Sequence, residues 1–98
     1  MIRVIYKWRV EKEDFDAFKE AWSIATNKIH ETTKGARGSF MIKSFEDETL
    51  ISTVARWDNL EQWKAFWTIK PPKEMEKMRK IAEFISSEAY EEIEDYTF

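Results

Sequence analysis

Five tryptophans, Trp8, Trp22, Trp57, Trp63 and Trp67, stand in a chain of 98 residues that also carries seven Phe and three Tyr. So short a chain has little interior, and this many rings must line a cavity, an interface or both. Together with Phe40 the five tryptophans form the candidate substrate-binding set, offering flat apolar surfaces on which an aromatic small molecule could stack. The competing reading is plain packing, since rings at helical spacing ordinarily fill a core.

Two further residues could act on such a ligand. His30 is the single histidine, and a neutral imidazole is the natural base for a phenolic proton. It follows Ile29 one step off an apolar helical stripe, a position where a histidine also serves to complement a helix dipole. Arg56 adjoins Trp57 and could stabilise a phenolate or enolate by charge and hydrogen bonding. Alternation along a strand puts Arg56 on the face opposite Trp57. If Trp57 faces the helices, Arg56 is expected to meet a carboxylate across a dimer interface. His30 and Arg56 are the candidate catalytic residues. The acidic runs Glu46-Asp47-Glu48 and Glu91-Glu92-Ile93-Glu94-Asp95 lack the spaced Asp and Gly pattern of a calcium loop, so no metal site is expected.

The elements that must position these groups are legible in the periodicity. Ile2, Val4, Tyr6, Trp8 and Val10 alternate with Arg3, Lys7 and Arg9, the period of a half-buried strand. From Lys12 to Lys34 the spacing of Phe15, Phe18, Trp22, Ala25 and Ile29 predicts a long helix closed by Gly35. Gly38 to Phe45 and Thr49 to Trp57 read as an antiparallel hairpin around the acidic turn. Asp58, with Glu61 three residues on, has the form of a capping box opening a short aromatic helix. Pro71-Pro72 must interrupt it, and Met75, Met78, Ile81, Ala82 and Ile85 predict a third helix from Pro72 to Ser86. The tail AYEEIEDYTF is left for a last strand. The order β-α-β-β-α(α)-β is the split arrangement of the ferredoxin-like α+β fold, a four-stranded antiparallel sheet with helices on one face, in one domain spanning residues 1–98.

That architecture leaves one sheet face without helices, yet Ile5 points to it and the hairpin carries apolar residues of both parities, Phe40 and Ile42 against Met41 and Phe45. An uncovered apolar face predicts a homodimer packed sheet to sheet.

Composition narrows the remaining classes. Charged residues make up 36% of the chain and apolar ones 43%, a globular mixture. A net charge of −3 with lysines scattered among carboxylates argues against nucleic acid as a partner. Without a continuous apolar run, no membrane partner is expected, and the alternating MIRVIYKWRV is unlike a signal peptide. With no cysteine, the cytoplasm is the expected compartment.

The alternating first strand, the DFDAFKEAW register of the long helix, the glycine bend, the hairpin and the sequence ARWDNLEQWKAF together resemble the antibiotic biosynthesis monooxygenase family of dimeric α+β barrels. The resemblance runs over essentially the whole chain and is most specific at Trp57 and the acidic, aromatic helix after it. It implies a dimer that oxidises polycyclic or quinol-type phenols with molecular oxygen, without metal, haem or flavin, so no cofactor is expected. A haem-degrading branch of similar proteins uses an asparagine on the first strand, a tryptophan near the end of the third and a histidine on the following helix. Only the tryptophan, Trp57, has a counterpart, because strand one contains no asparagine and no histidine follows His30. Three functions therefore stand: a cofactor-free monooxygenase, a dimeric binding module for an apolar aromatic ligand, and an interaction protein whose rings fill its own core.

Overall fold

The computed structural model describes residues 1–67 and 73–97. The first strand, β1 (Ile2–Arg9), buries Ile2, Val4, Tyr6 and Trp8 and leaves the intervening residues half-buried, the alternation its sequence dictates. After a 3₁₀ turn at Lys12–Asp14, helix α1 (Phe15–Thr32) buries Phe18, Ala21 and Ala25. It stops short of Lys34: Thr33 is extended, its N–H donates to Ile29 O, and Gly35 reverses the chain with φ at +92°.

Strand β2 (Ala36–Lys43) begins two residues before the expected Gly38 and ends before Phe45, which projects fully exposed from the hairpin turn. The turn is fixed by its own polar groups. Ser44 Oγ accepts the N–H groups of Glu46 and Asp47, and Asp47 Oδ1 accepts both Thr49 N–H and Thr49 Oγ1–H. Strand β3 (Leu50–Trp57) returns antiparallel, but Ala36 pairs with Trp57 while Ser39 pairs with Ala55. Arg37 and Gly38 thus face one residue, a bulge that Gly38 permits at φ +90°. By absorbing a residue, the bulge puts Ala36, Ser39 and Met41 on the same face.

Helix α2 (Leu60–Trp67) is capped one residue later than its sequence suggests. Asn59 Oδ1, not the Asp58 carboxylate, accepts the Gln62 N–H at 2.9 Å. Asp58 is occupied elsewhere: its N–H donates to Gly35 O, and its carboxylate takes the forked guanidinium of Arg37 at 2.6 and 3.3 Å. The expected interruption at Pro71-Pro72, and the start of a third helix at Pro72, lie outside the described residues. A 3₁₀ turn at Lys73–Met75 leads into α3 (Glu76–Ile81), which is much shorter than the expected run to Ser86.

The last strand, β4 (Glu83–Glu91), takes over the segment expected to finish that helix. Its register with β1 shifts between Lys7 and Trp8, where Ser86 and Phe84 are the successive partners and Ile85 is the extra residue. The bulge turns Phe84 inward against Trp8, with ring centroids 5.1 Å apart. Beyond Glu91 the expected tail strand is absent among the described residues, and Ile93 and Tyr96 are exposed.

The sheet order is β2-β3-β1-β4, all neighbours antiparallel, with the helices packed on one face. The core lies between, around Val4, Trp8, Phe18, Ile51 and Met78. Among the described residues no helix is long and apolar enough to cross a membrane.

Candidate functional site

The inward faces of β1 and β3 supply the floor of a cavity roofed by the C-terminal half of α1. Tyr6 and Thr53 are direct register partners on that floor, with Ala55 and Trp57 further along β3. Trp22, Thr26 and His30, spaced four residues apart on α1, form one wall. Phe66 on α2 and the thioethers of Met75 and Met78 close the remainder. The enclosed volume is about 50 Å³. A buried water needs about 10–15 Å³ of such space, and a void that takes benzene is roughly 150 Å³. An aromatic ring therefore enters only by displacing side chains, and Met75 and Met78, unbranched and adaptable, are the groups suited to re-pack.

The tryptophans divide. Trp22 and Trp57 line the cavity. Trp22 is held as a wall by its Nε1–H, which donates to Ser39 Oγ at 3.1 Å, and Ser39 in turn shares a hydrogen bond with Thr26 Oγ1. Trp57, buried on the helix side, packs at 5.2 Å against Phe66. Trp63 and Trp67 stand behind Tyr6: Trp63 Nε1–H donates to the Tyr6 hydroxyl at 2.8 Å, and Trp67 lies 5.1 Å from the Tyr6 ring. Trp8 is wholly buried between Phe18 and Phe84 and does not reach the cavity. Phe40 lies on the opposite face of the sheet, 49% exposed beside Val54, because its parity is opposite to that of Ser39 and Met41.

His30 is closer to the site than its place off the helical stripe suggests. The reversal at Gly35 brings the Ala36 carbonyl within 3.0 Å of Nδ1. A carbonyl only accepts, so Nδ1 carries a proton, and in the neutral ring Nε2 is left with a lone pair at the cavity rim. Arg56 borders the cavity from β3, but its guanidinium turns to the other face, as alternation requires. There it meets a carboxylate of its own chain. Glu92 Oε2 accepts from Arg56 Nη2 at 3.1 Å and Glu92 Oε1 from Arg3 Nε at 2.7 Å. These two arginines, Arg3 foremost, hold the Glu92 carboxyl below its ordinary value.

Two polar residues of the floor escaped the sequence reading. Tyr6 is almost fully buried, and burial pushes its phenol far up, so the hydroxyl stays protonated. Its oxygen accepts from Trp63, while its own proton has no acceptor among the described residues. Thr53 is 2% exposed, lines the cavity and makes no side-chain hydrogen bond among the described residues. A hydroxyl within the otherwise apolar inward row Ile51, Ala55 and Trp57 was the available signal. Among the described residues no group of three or more His, Asp or Glu is placed to hold a metal ion.

A family model described as antibiotic biosynthesis monooxygenase matches residues 1–68, from β1 through α2. The chain belongs to this family. The match includes every cavity residue except Met75 and Met78. Solved structures carry the same fold. A cofactor-independent oxygenase from Streptomyces nogalater superposes with a TM-score of 0.73 at 7% identity, over 97% of this chain and 95% of its own. A Deinococcus radiodurans protein carried under the family name gives 0.75 at 12% identity, over 100% and 98%. A Bacteroides thetaiotaomicron protein of unknown function gives 0.71 at 19% identity, over 91% and 94%. No curated protein sequence matches the chain.

Proposed function

We propose that this family member is a cofactor-free monooxygenase acting on a single-ring phenol or quinol with molecular oxygen. One observation carries the reading: a partly enclosed cavity walled by Trp22, Trp57 and Phe66 is also lined by His30, whose Nδ1 is engaged by the Ala36 carbonyl and whose Nε2 is thereby left to act as the base. A ring seated between these walls gives its phenolic proton to Nε2. The resulting anion, richer in electrons, reduces oxygen. Oxidation of a phenol to a quinone balances with one oxygen atom entering the ring and the other leaving as water, the substrate supplying all the electrons. The small volume favours one ring over several. A single imidazole as the one base among the described lining residues is also compatible with a binding module that releases its ligand unchanged.

We place the protein in the cytoplasm, consistent with its lack of cysteine, as a homodimer joined through the uncovered sheet face. Phe40 and Ile42, both about half exposed, stand there in register with Val54 and Ser52, and Ile5 lies beside Val54. Light scattering on Phe40→Asp is expected to give a monomer where the parent gives a dimer.

The enzymatic test titrates the protein with simple quinols and phenols in the presence of a chelator, following tryptophan fluorescence and oxygen consumption together. Saturable quenching with oxygen uptake supports the monooxygenase, and quenching without uptake supports the binding module. The absence of both refutes an aromatic site and leaves an interaction protein.

A further inference from the structure

We propose that Tyr6 is the residue that reads the oxygen of the bound ring, donating its hydroxyl proton to the phenol oxygen and favouring the anion, with Trp63 as the positioning residue that aims it. The inference rests on the aromatic-ligand reading of the cavity. It goes beyond that reading by assigning the specificity-determining donor.

Three observations carry it. The Tyr6 oxygen already accepts from Trp63 Nε1 at 2.8 Å, so its remaining function is to donate. That proton meets no acceptor among the described residues, although the residue is 5% exposed and a buried polar group without a partner is costly. Tyr6 itself lines the cavity, which makes a ligand oxygen the available acceptor. The surroundings fix the geometry further. Trp63 and Trp67 lie stacked with centroids 6.1 Å apart, and Trp67 packs on the Tyr6 ring, so neither the indole donor nor the phenol has room to turn. Thr53, opposite Tyr6 in the register, brings a second uncommitted hydroxyl to the same floor. A protonated donor facing a developing phenolate favours the anion by the logic of an oxyanion hole, and complements proton removal by His30. A ring without an oxygen leaves the Tyr6 proton unpaired and is disfavoured on that account.

The test uses 4-nitrophenol, a single-ring phenol whose absorption spectrum reports its own ionisation. The parent protein is expected to bind the probe saturably and to ionise it at a lower pH than free solution does. Tyr6→Phe should weaken binding by about ten- to a hundred-fold, the value of one hydrogen bond to a charged group, and abolish the ionisation shift. Trp63→Phe keeps the Tyr6 hydroxyl but frees its orientation, so it should reduce the shift without abolishing it. A merely structural role for Trp63 would alter thermal stability and leave the spectrum of the bound probe unchanged. Tyr6→Phe protein that binds and ionises the probe as the parent does overturns the assignment while leaving the aromatic site intact. Should Tyr6→Phe not fold, an undiminished shift in Trp63→Phe overturns it instead. Failure of the parent to bind 4-nitrophenol at all removes the aromatic site, and this inference with it.

Discussion

Gly35→Ala tests whether one turn both holds the fold and sets the site. Gly35 sits at φ +92°, where an L-residue pays roughly 1–2 kcal/mol. An added Cβ would also overlap Gln62 Oε1 and lie 2.6 Å from its Cδ and 3.0 Å from its Cβ. The amide can rotate away, but leaving its rotamer costs about 0.5–1.5 kcal/mol, and the nearby Cβ cannot follow it. The sum is about 2–3 kcal/mol, which for a domain of this size is a fall in Tm of roughly 10–15 °C. Gln62 Oε1 is itself buried without a hydrogen-bond partner among the described residues, so Gln62→Ala should be close to neutral. In the double variant the clash with the amide disappears and the backbone strain and the 3.0 Å approach to the residue-62 Cβ remain, giving a coupling of about 1 kcal/mol in a thermal-unfolding cycle. Because the same reversal presents the Ala36 carbonyl to His30 Nδ1, nitrogen NMR of the imidazole should show the tautomer preference weakened in Gly35→Ala. A Tm loss below about 2 °C, or strict additivity with Gln62→Ala, refutes the account of the turn.

Other perturbations separate packing from chemistry. Trp57→Ala should cost roughly 3–5 kcal/mol in denaturant unfolding, as for a fully packed large ring, and should also weaken the binding of phenols; lost stability with unchanged binding would count against the cavity as the ligand site. Burial raises the Tyr6 phenol, so its contribution to stability is complete below about pH 10, the value in the unfolded chain, and declines above it by about 1.4 kcal/mol per pH unit. Tyr6→Phe should lose that alkaline limb in Tm measured against pH, and an unchanged limb would place the titration elsewhere. Asp47 is drawn down to about 2, first by the Thr49 hydroxyl and then by Arg9 and the Thr49 N–H. Its stabilisation is present above the ordinary carboxylate range and fades as pH falls toward 2, so Asp47→Asn should flatten the acid limb of the same profile.

The parts of the fold legible in the sequence are those where one period runs unbroken. β1 alternates over its whole length, and α1 keeps its stripe from Phe15 to Ile29, so both were readable. The errors fall where a period is interrupted. Met78, Ile81, Ala82 and Ile85 continue a helical stripe on paper, but Ala82 is already extended, and the bulge at Ile85 is what lets Phe84 turn inward from a strand. No local signal marks that bulge, because the gain comes from Trp8 and Trp67 on other elements. The capping error at Asp58 has the same origin: Asp58 and Asn59 are both good caps, and Arg37, distant in sequence, decides between them.

The site was legible to a smaller degree, for a related reason. Aromatic residue type announced Trp22 and Trp57 but did not separate them from Trp8, since all three sit at inward positions and only the path of α1 over the sheet decides which meets empty space. Phe40 was misassigned because the bulge at Arg37 and Gly38 fixes which parity of β2 faces the helices. His30 stands off the apolar stripe on the helical wheel, whereas the wall it joins is built by spacing of four, Trp22, Thr26 and His30, across the edge of the stripe. That edge is where a site is expected: the centre of an apolar stripe is consumed by the core, and its border is where polar side chains can still reach a cavity without being buried alone. By the same reasoning Tyr6 and Thr53, polar atoms on an otherwise apolar inward row, deserve the weight that ring count alone gave to the tryptophans.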